Sequence, residues 1–499
     1  MRPPVLLLIE VALLLTGPLV SAAPPKVGQW DRFETIIPNA TTYADPFRDV
    51  TLQVTYTKPD GQRVEFWGFY DGSRGWKIRF MPDQLGTWTY VARFSDGSPG
   101  LTGRFRCVRS TIPGLLTADE SNPRWFGFKG GRHGQLRSFH AGPLFDTAWD
   151  DPNNPANGER RKAFLDWAAG QGYNLFSSSS YFAVRKNLPQ GPQLWPIQPE
   201  QYRRVEWVLN ELSDRRMMIH GFAGFFGQER AYPTDTAEQR VYLRYCVARI
   251  GPYWNQLWNV AGPEPNLTKH LTSADVNRLG TLIQQLDPFG HPLGVHNRDG
   301  DDPHRQDSWS SFVTLQDEFP DLNDLSQYLL RNHTGTKPVL AHETLWMGNT
   351  LQPPWTLDDL RRHHWVHLLS ATTYNAGDMA GRSHTGFSGS LDLSDAKPER
   401  HAGPKLVWDF METLPFYRMT PRPDLRDAGY LLAEEGRQYL AYLPAGGRVS
   451  IRVQPGKAYR VTWINARTPL ADQRRGPATR DGANLTAPDG NDWLVYLTR

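Results

Sequence analysis

Cysteine is nearly missing from this chain: Cys107 and Cys246 are the only two in 499 residues. That excludes a disulfide framework and a cysteine-ligated zinc site, and the two lie in segments that the pattern below assigns to different domains. A surplus of one charge is also lacking. Lys and Arg number 55 against 52 Asp and Glu, a formal net charge of +3, which gives no electrostatic footprint for nucleic acid or an anionic membrane surface. No G-x-G-x-x-G follows a strand-like run, which removes the main signal of a dinucleotide fold. "GFSGS" lacks the spacing of a serine nucleophile elbow. The acidic stretch "HNRDGDDPHRQD", with Asp299, Asp301, Asp302 and His304, has neither the order of a calcium loop nor a helical H-x-x-x-H pair. It reads as a solvated loop, and no metal and no cofactor are expected.

Long apolar runs are confined to the start. In "MRPPVLLLIEVALLLTGPLVSAAPP", Arg2 precedes an apolar stretch from Val5 to Leu15, broken by Glu10, and small residues follow at Ser21 to Ala23. Residues 1–23 are therefore expected to be a secretory signal, which implies a secreted or periplasmic protein; an uncleaved anchor is the alternative. No later run is long enough to span a bilayer, so no integral membrane span is expected after signal removal.

Aromatic residues are plentiful, with 18 Trp, 19 Tyr and 23 Phe. Most must serve packing, but a flat indole also suits the C–H-rich face of a sugar ring.

Three rhythms divide the chain. From 24 to 112, alternating segments such as "DVTLQVTYTKPDGQRVEFWGFYDGSRGWKIRF" are broken by Pro-Asp-Gly and Asp-Gly turns, which predicts an antiparallel β-sandwich. From 417 to 499, "RQYLAYLPAGGRVSIRVQPGKAYRVTWINARTPL" and "NDWLVYLTR" predict a second one. Between them, over 113–416, amphipathic helical stretches alternate with short apolar runs. "GPLFDTAWD", "YNLFSSSSYF", "RMMIHGFAGFF", "NQLWNVAGPE", "HPLGVHNRD", "SSFVTLQ", "KPVLAHETLW" and "LLSATTYNAG" make eight candidate strands. Eight strand-then-helix units predict a (β/α)8 TIM barrel, with a doubly wound open sheet as the runner-up.

A barrel's active site lies at the C-terminal ends of its strands. The polar residues just past the apolar runs are therefore the candidates. Glu264 after the fourth run and Glu343 after the seventh stand out as carboxylates on facing sides of one mouth. Two facing carboxyl groups are what glycosidic bond cleavage requires, and Pro263 and Pro265 would fix the aim of Glu264. Asp146, Tyr181, His220, Asn266, His296 and Gln316 are candidate sugar ligands, and Trp149, Trp309 and Trp346 candidate stacking surfaces. Structural roles compete for each: a helix cap for Glu264, an ion pair for Glu343, plain packing for any single Trp.

"WNVAGPEPN" and "KPVLAHETLW" resemble the fourth- and seventh-strand glutamate motifs of the retaining barrel glycosidases. "DGSRGWKIRFMPDQLGTWTY", "FDTAWD", "AYLPAGGRVSIRV", "YRVTWINARTPL" and "APDGNDWLVYL" are similar to the sandwich, first-strand and C-terminal segments of bacterial apiosidase-like and endoglucanase-like proteins, whose last domain is often labelled collagen-binding. The resemblance implies a glycosidase with Glu264 as acid/base and Glu343 as nucleophile, acting on a plant, algal or microbial polysaccharide or oligosaccharide. It also implies a monomer or weak oligomer whose partner is carbohydrate. One departure stands out: the family has Asn before its acid/base Glu, and this chain has Pro263. A carbohydrate-binding protein on a degenerate barrel is the alternative.

Overall fold

The computed structural model describes residues 23–141, 144, 155–178, 193–221, 223–227, 232–262, 271–297, 300–345, 355–376, 398–480 and 483–499. The first strands are β1 (Lys26–Gly28), β2 (Phe33–Ile37), β3 (Leu52–Thr57), β4 (Arg63–Tyr70), β5 (Trp76–Phe80), β6 (Gly86–Phe94) and β7 (Leu101–Val108). Burial alternates along β3 and β6 as the sequence pattern requires.

These strands form one continuous sheet, ordered β1-β7-β6-β3-β4-β5-β2, where two facing sheets were expected. β4 explains the difference: its first half pairs with β3 and its second half with β5. At the bend, a Cβ on Gly68 would lie 2.4 Å from the Leu52 side chain, so only glycine lets the sheet fold over there. The ends of the sheet thereby meet, and Phe33 of β2 stacks on Phe105 of β7 with ring centroids 4.1 Å apart.

A small sheet of β8 (Leu116–Ala118), β9 (Phe126–Phe128) and β10 (Arg132–His133) leads into the central domain. Eight parallel strands follow: β11 (Ser138–His140), β12 (Leu175–Ser178), β13 (Met218–Gly221), β14 (Gln256–Asn259), β15 (Leu293–Gly294), β16 (Val313–Leu315), β17 (Val339–Ala341) and β18 (Thr372–Ala376). β11 pairs with both β12 and β18, so the sheet curves back on itself. At the remaining seam between β15 and β16, the Ser311 N–H donates to the Leu293 carbonyl at 2.8 Å, and the Leu293 N–H donates to Ser311 Oγ at 2.6 Å. This is a (β/α)8-type barrel, and the open-sheet alternative is excluded.

Two details differ from expectation. The first strand is Ser138–His140, just ahead of "GPLFDTAWD", most of which lies outside the described residues. Among the described residues, the helices Pro155–Gly170, Pro199–Asp214, Thr236–Ile250, Ser273–Leu286, Leu322–Asn332, Leu357–Leu369 and Pro398–Glu412 follow every strand but β15. After β15 the chain runs as a hydrogen-bonded loop. Asp302 and His304 are buried in it, Asp301 pairs with Arg331 at 2.9 Å, and Lys337 Nζ donates to the carbonyls of Arg305 and Asp307. The stretch read as a solvated loop is thus the piece of barrel wall that stands where a fifth helix would.

The last strands are β19 (Thr420–Pro421), β20 (Tyr430–Glu434), β21 (Gln438–Leu443), β22 (Arg448–Ile451), β23 (Tyr459–Asn465), β24 (Gln473–Thr479), β25 (Ala483–Thr486) and β26 (Trp493–Thr498). Six form one sheet and β22 pairs with β25 in another. Val449 and Ile451 of the small sheet share a core with Leu431, Ala441, Val461 and Val495 of the large one.

Buried ion pairs join the N-terminal sheet to the barrel. Arg79 Nη1 lies 2.6 Å from Glu206 Oε1, and Arg249 Nε 2.5 Å from the same oxygen. Asp71 takes Arg249 at 2.8 Å and Arg203 at 2.6 Å. Cys107 and Cys246 are both free thiols.

Candidate active site

β17 ends at Ala341, and both the His342 and Glu343 N–H groups then point at one acceptor, the Leu315 carbonyl, at 2.8 and 3.3 Å. The strand's alternation stops there, so two successive side chains come to the same mouth. Thr344 anchors the turn behind them. His367 Nδ1 donates to the His363 carbonyl, which leaves His367 Nε2 to accept from the Thr344 hydroxyl at 2.7 Å.

Glu343 is buried, and its Oε2 lies 3.3 Å from His296 Nε2. Below it the barrel interior is filled by histidines. The His342 ring centroid is 4.6 Å from His296, 5.1 Å from His220 and 6.0 Å from His140. These four residues lie within two positions of the C-terminal ends of β11, β13, β15 and β17, the odd-numbered strands of the barrel. A barrel core stacks in layers of four side chains contributed by alternate strands; here one such layer is made wholly of imidazole, and it floors the mouth.

Two members of the layer, His220 and His342, are held neutral. Asn259 Nδ2 donates to His220 Nε2 at 2.9 Å, so the proton of His220 sits on Nδ1. Burial, with His296 nearby, pushes the His220 pKa down to about 3, against the weaker pull of Asn259. Burial likewise holds His342 well below the usual imidazole range, helped by His296, His220 and His140, and its Nε2 contacts Ser177 Oγ. Glu343 thus sits above a floor whose ring N–H groups can meet hydroxyls.

The structure thus brings together Glu343, His220 and His296 among the expected residues. Gln316 follows β16 at the same mouth, half-buried. Trp309 is a correction: it precedes β16, at the opposite end of the barrel, and is buried. Its indole N–H donates to Asn277 Oδ1 at 2.7 Å, and its ring lies so close over Gly280 that a Cβ there would be 2.4 Å away. No sugar can reach it. Glu264, Asp146, Trp149, Tyr181, Asn266 and Trp346 lie outside the described residues. His140 and His342 were not singled out from the sequence. The signal was present in "SFH", "MIH", "GVH" and "LAH", four apolar runs each closed by His.

A family model described as a domain of unknown function (DUF5060) matches residues 26–95, which is β1 to β6 of the N-terminal sheet. No curated protein matches the sequence. Among solved structures, a Bacteroides vulgatus protein provisionally assigned as a glycoside hydrolase is similar at 19% identity, over 95% of this chain and 99% of that one, with a TM-score of 0.76. A protein described as a glycoside hydrolase is similar at 14% identity, over 78% of this chain and 98% of that one, with a TM-score of 0.59. A Bacteroides vulgatus protein of glycoside hydrolase family 5 gives 15% identity, 78% and 95% coverage, and a TM-score of 0.59. At these identities the likeness is one of fold, and the first extends it to nearly the whole chain.

Proposed function

We propose that this chain is a glycoside hydrolase of retaining mechanism, in which Glu343 attacks the anomeric carbon and Glu264 first donates and then withdraws a proton. The observation that carries the reading is the position of Glu343: buried at the C-terminal end of the seventh barrel strand, above the histidine floor. The fold shared with glycoside hydrolases supports it. The apiosidase-like relationship, a polysaccharide or oligosaccharide substrate and export from the cytoplasm are parts of the same proposal. His220, His296 and Gln316 are its sugar-hydroxyl ligands.

Glu343→Gln is the test. The exchange keeps shape and removes the nucleophile, so hydrolysis of a glycan that the wild type cleaves should fall by several orders of magnitude, with binding of that glycan retained. Undiminished hydrolysis would remove Glu343 from the role. The anomer first released, read by proton NMR, decides between retention and inversion. A second reading, glycan binding without turnover, is favoured by Pro263, which offers no side-chain hydrogen bond where the family places Asn. Affinity for glycan with no turnover in the wild type would establish it.

A further inference from the structure

The histidine floor has a second chemical capacity. His296, His342 and Glu343 each present one ligand atom, and the three atoms lie within 4.8 Å of one another. They come from the ends of two strands, β15 and β17, that are not neighbours in the sheet. Sequence spacing therefore carries no trace of the grouping, and the local motifs that normally betray a metal site are absent. The closest pair is informative. Two ligands of a tetrahedral cation with bonds of about 2.0–2.1 Å stand roughly 3.3–3.4 Å apart, and His296 Nε2 and Glu343 Oε2 are 3.3 Å apart. His342 also has the backing that metal-binding histidines characteristically show: its Nε2 contacts Ser177 Oγ, which fixes the plane of the ring. Two imidazoles and one carboxylate form a donor set for a borderline divalent cation such as Zn2+ or Co2+, with a further position left open. Calcium and magnesium, which want all-oxygen shells, do not suit it.

We propose that His296, His342 and Glu343 form a binding site for a divalent transition-metal ion at the floor of the barrel mouth. A cation there takes the carboxylate oxygen that the hydrolytic reading needs for attack on sugar. Metal binding and hydrolysis are then mutually exclusive, and the site makes the proposed enzyme sensitive to zinc. This consequence rests on the nucleophile assignment of Glu343; the metal site itself does not.

The test is a titration of the full-length, chelator-treated chain with Co2+, read by its visible d–d absorption, and with Zn2+, read by calorimetry. One equivalent should bind, with the strong bands of a four-coordinate cobalt ion. His296→Asn and Glu343→Gln should each weaken binding by more than about tenfold, the loss that follows even when a residue behind a ligand is removed. Glu343→Gln is isosteric and keeps the test decisive if a variant at the fully buried His342 fails to fold. Absence of a saturable cobalt signal, or a signal unchanged in both variants, overturns the site. Hydrolysis assayed in parallel separates this from the preceding proposal. Activity in chelator that Zn2+ abolishes supports both. Activity without cobalt binding removes the metal site alone, and cobalt binding with no activity in any metal state removes the hydrolase reading alone. Activity that appears only with added metal supports the site and overturns the two-carboxylate mechanism.

Discussion

Asp302 shows how far one side chain can depart from its sequence context. It lies in a run of acids and looks solvated, yet it is buried, accepting from Asn297 Nδ2 at 3.1 Å and the His304 N–H at 2.8 Å. Burial raises its pKa from 3.8 to about 6, against the pull of the His304 N–H and ring, the Thr314 backbone and Arg305. A carboxyl raised on folding stabilises the folded state only while protonated. Its contribution is complete below about pH 4 and is lost as the pH rises through 6. Asp302→Asn should therefore match the wild type in acid and exceed it by about 1–3 kcal/mol above neutrality, read as a pH-dependent difference in urea midpoint. The histidines teach the complementary lesson. His220 and His296 were legible because each directly ends an apolar run. His140 and His342 have the same local sequence, and what distinguishes all four is that their strands are the odd ones of a closed barrel. That relation exists only once the barrel closes.

At the level of elements, seven of the eight barrel strands fall inside the apolar runs read from the sequence, because buried parallel strands are near-continuous hydrophobic stretches. The first was displaced because Ser138–His140 is short and holds a single apolar residue, Phe139, between Ser138 and His140, while "GPLFDTAWD" beside it is the more apolar stretch. The missing fifth helix was not legible, since a wall segment held by Lys337, Arg331 and buried Asp302 has no periodicity to read. Thr272 with Asp275, and Thr356 with Asp359, form capping boxes at the starts of the helices Ser273–Leu286 and Leu357–Leu369. Thr356→Ala should cost about 1 kcal/mol of stability, seen as a lowered melting temperature.

Across the whole molecule the N-terminal sheet is bonded to the barrel through charges as well as apolar contacts. Burial alone would raise the pKa of Glu206, but Arg79 and then Arg249 outweigh it and hold the carboxyl at about 2, against 4.5 in an exposed group. The ion pairs are complete above pH 4.5 and weaken as the pH falls towards 2, so the seam resists mild acid. Removing one partner from a buried pair is costly because the other charge stays behind. Glu206→Gln should destabilise the protein by about 3 kcal/mol, measured by denaturant unfolding.

The same seam sets a timetable during synthesis. Arg79 leaves the ribosome early, and the barrel carboxylate that pairs with it, Glu206, arrives 127 residues downstream. At about 5–20 residues per second the nascent sheet waits roughly six to twenty-five seconds with the Arg79 guanidinium, paired until then only with Glu34 of its own sheet, on a face that will later be sealed inside. The curled sheet can form its own aromatic core in that interval, but the face it will give to the barrel stays wet and charged, a built-in guard against sticking to other nascent chains before its intended neighbour exists.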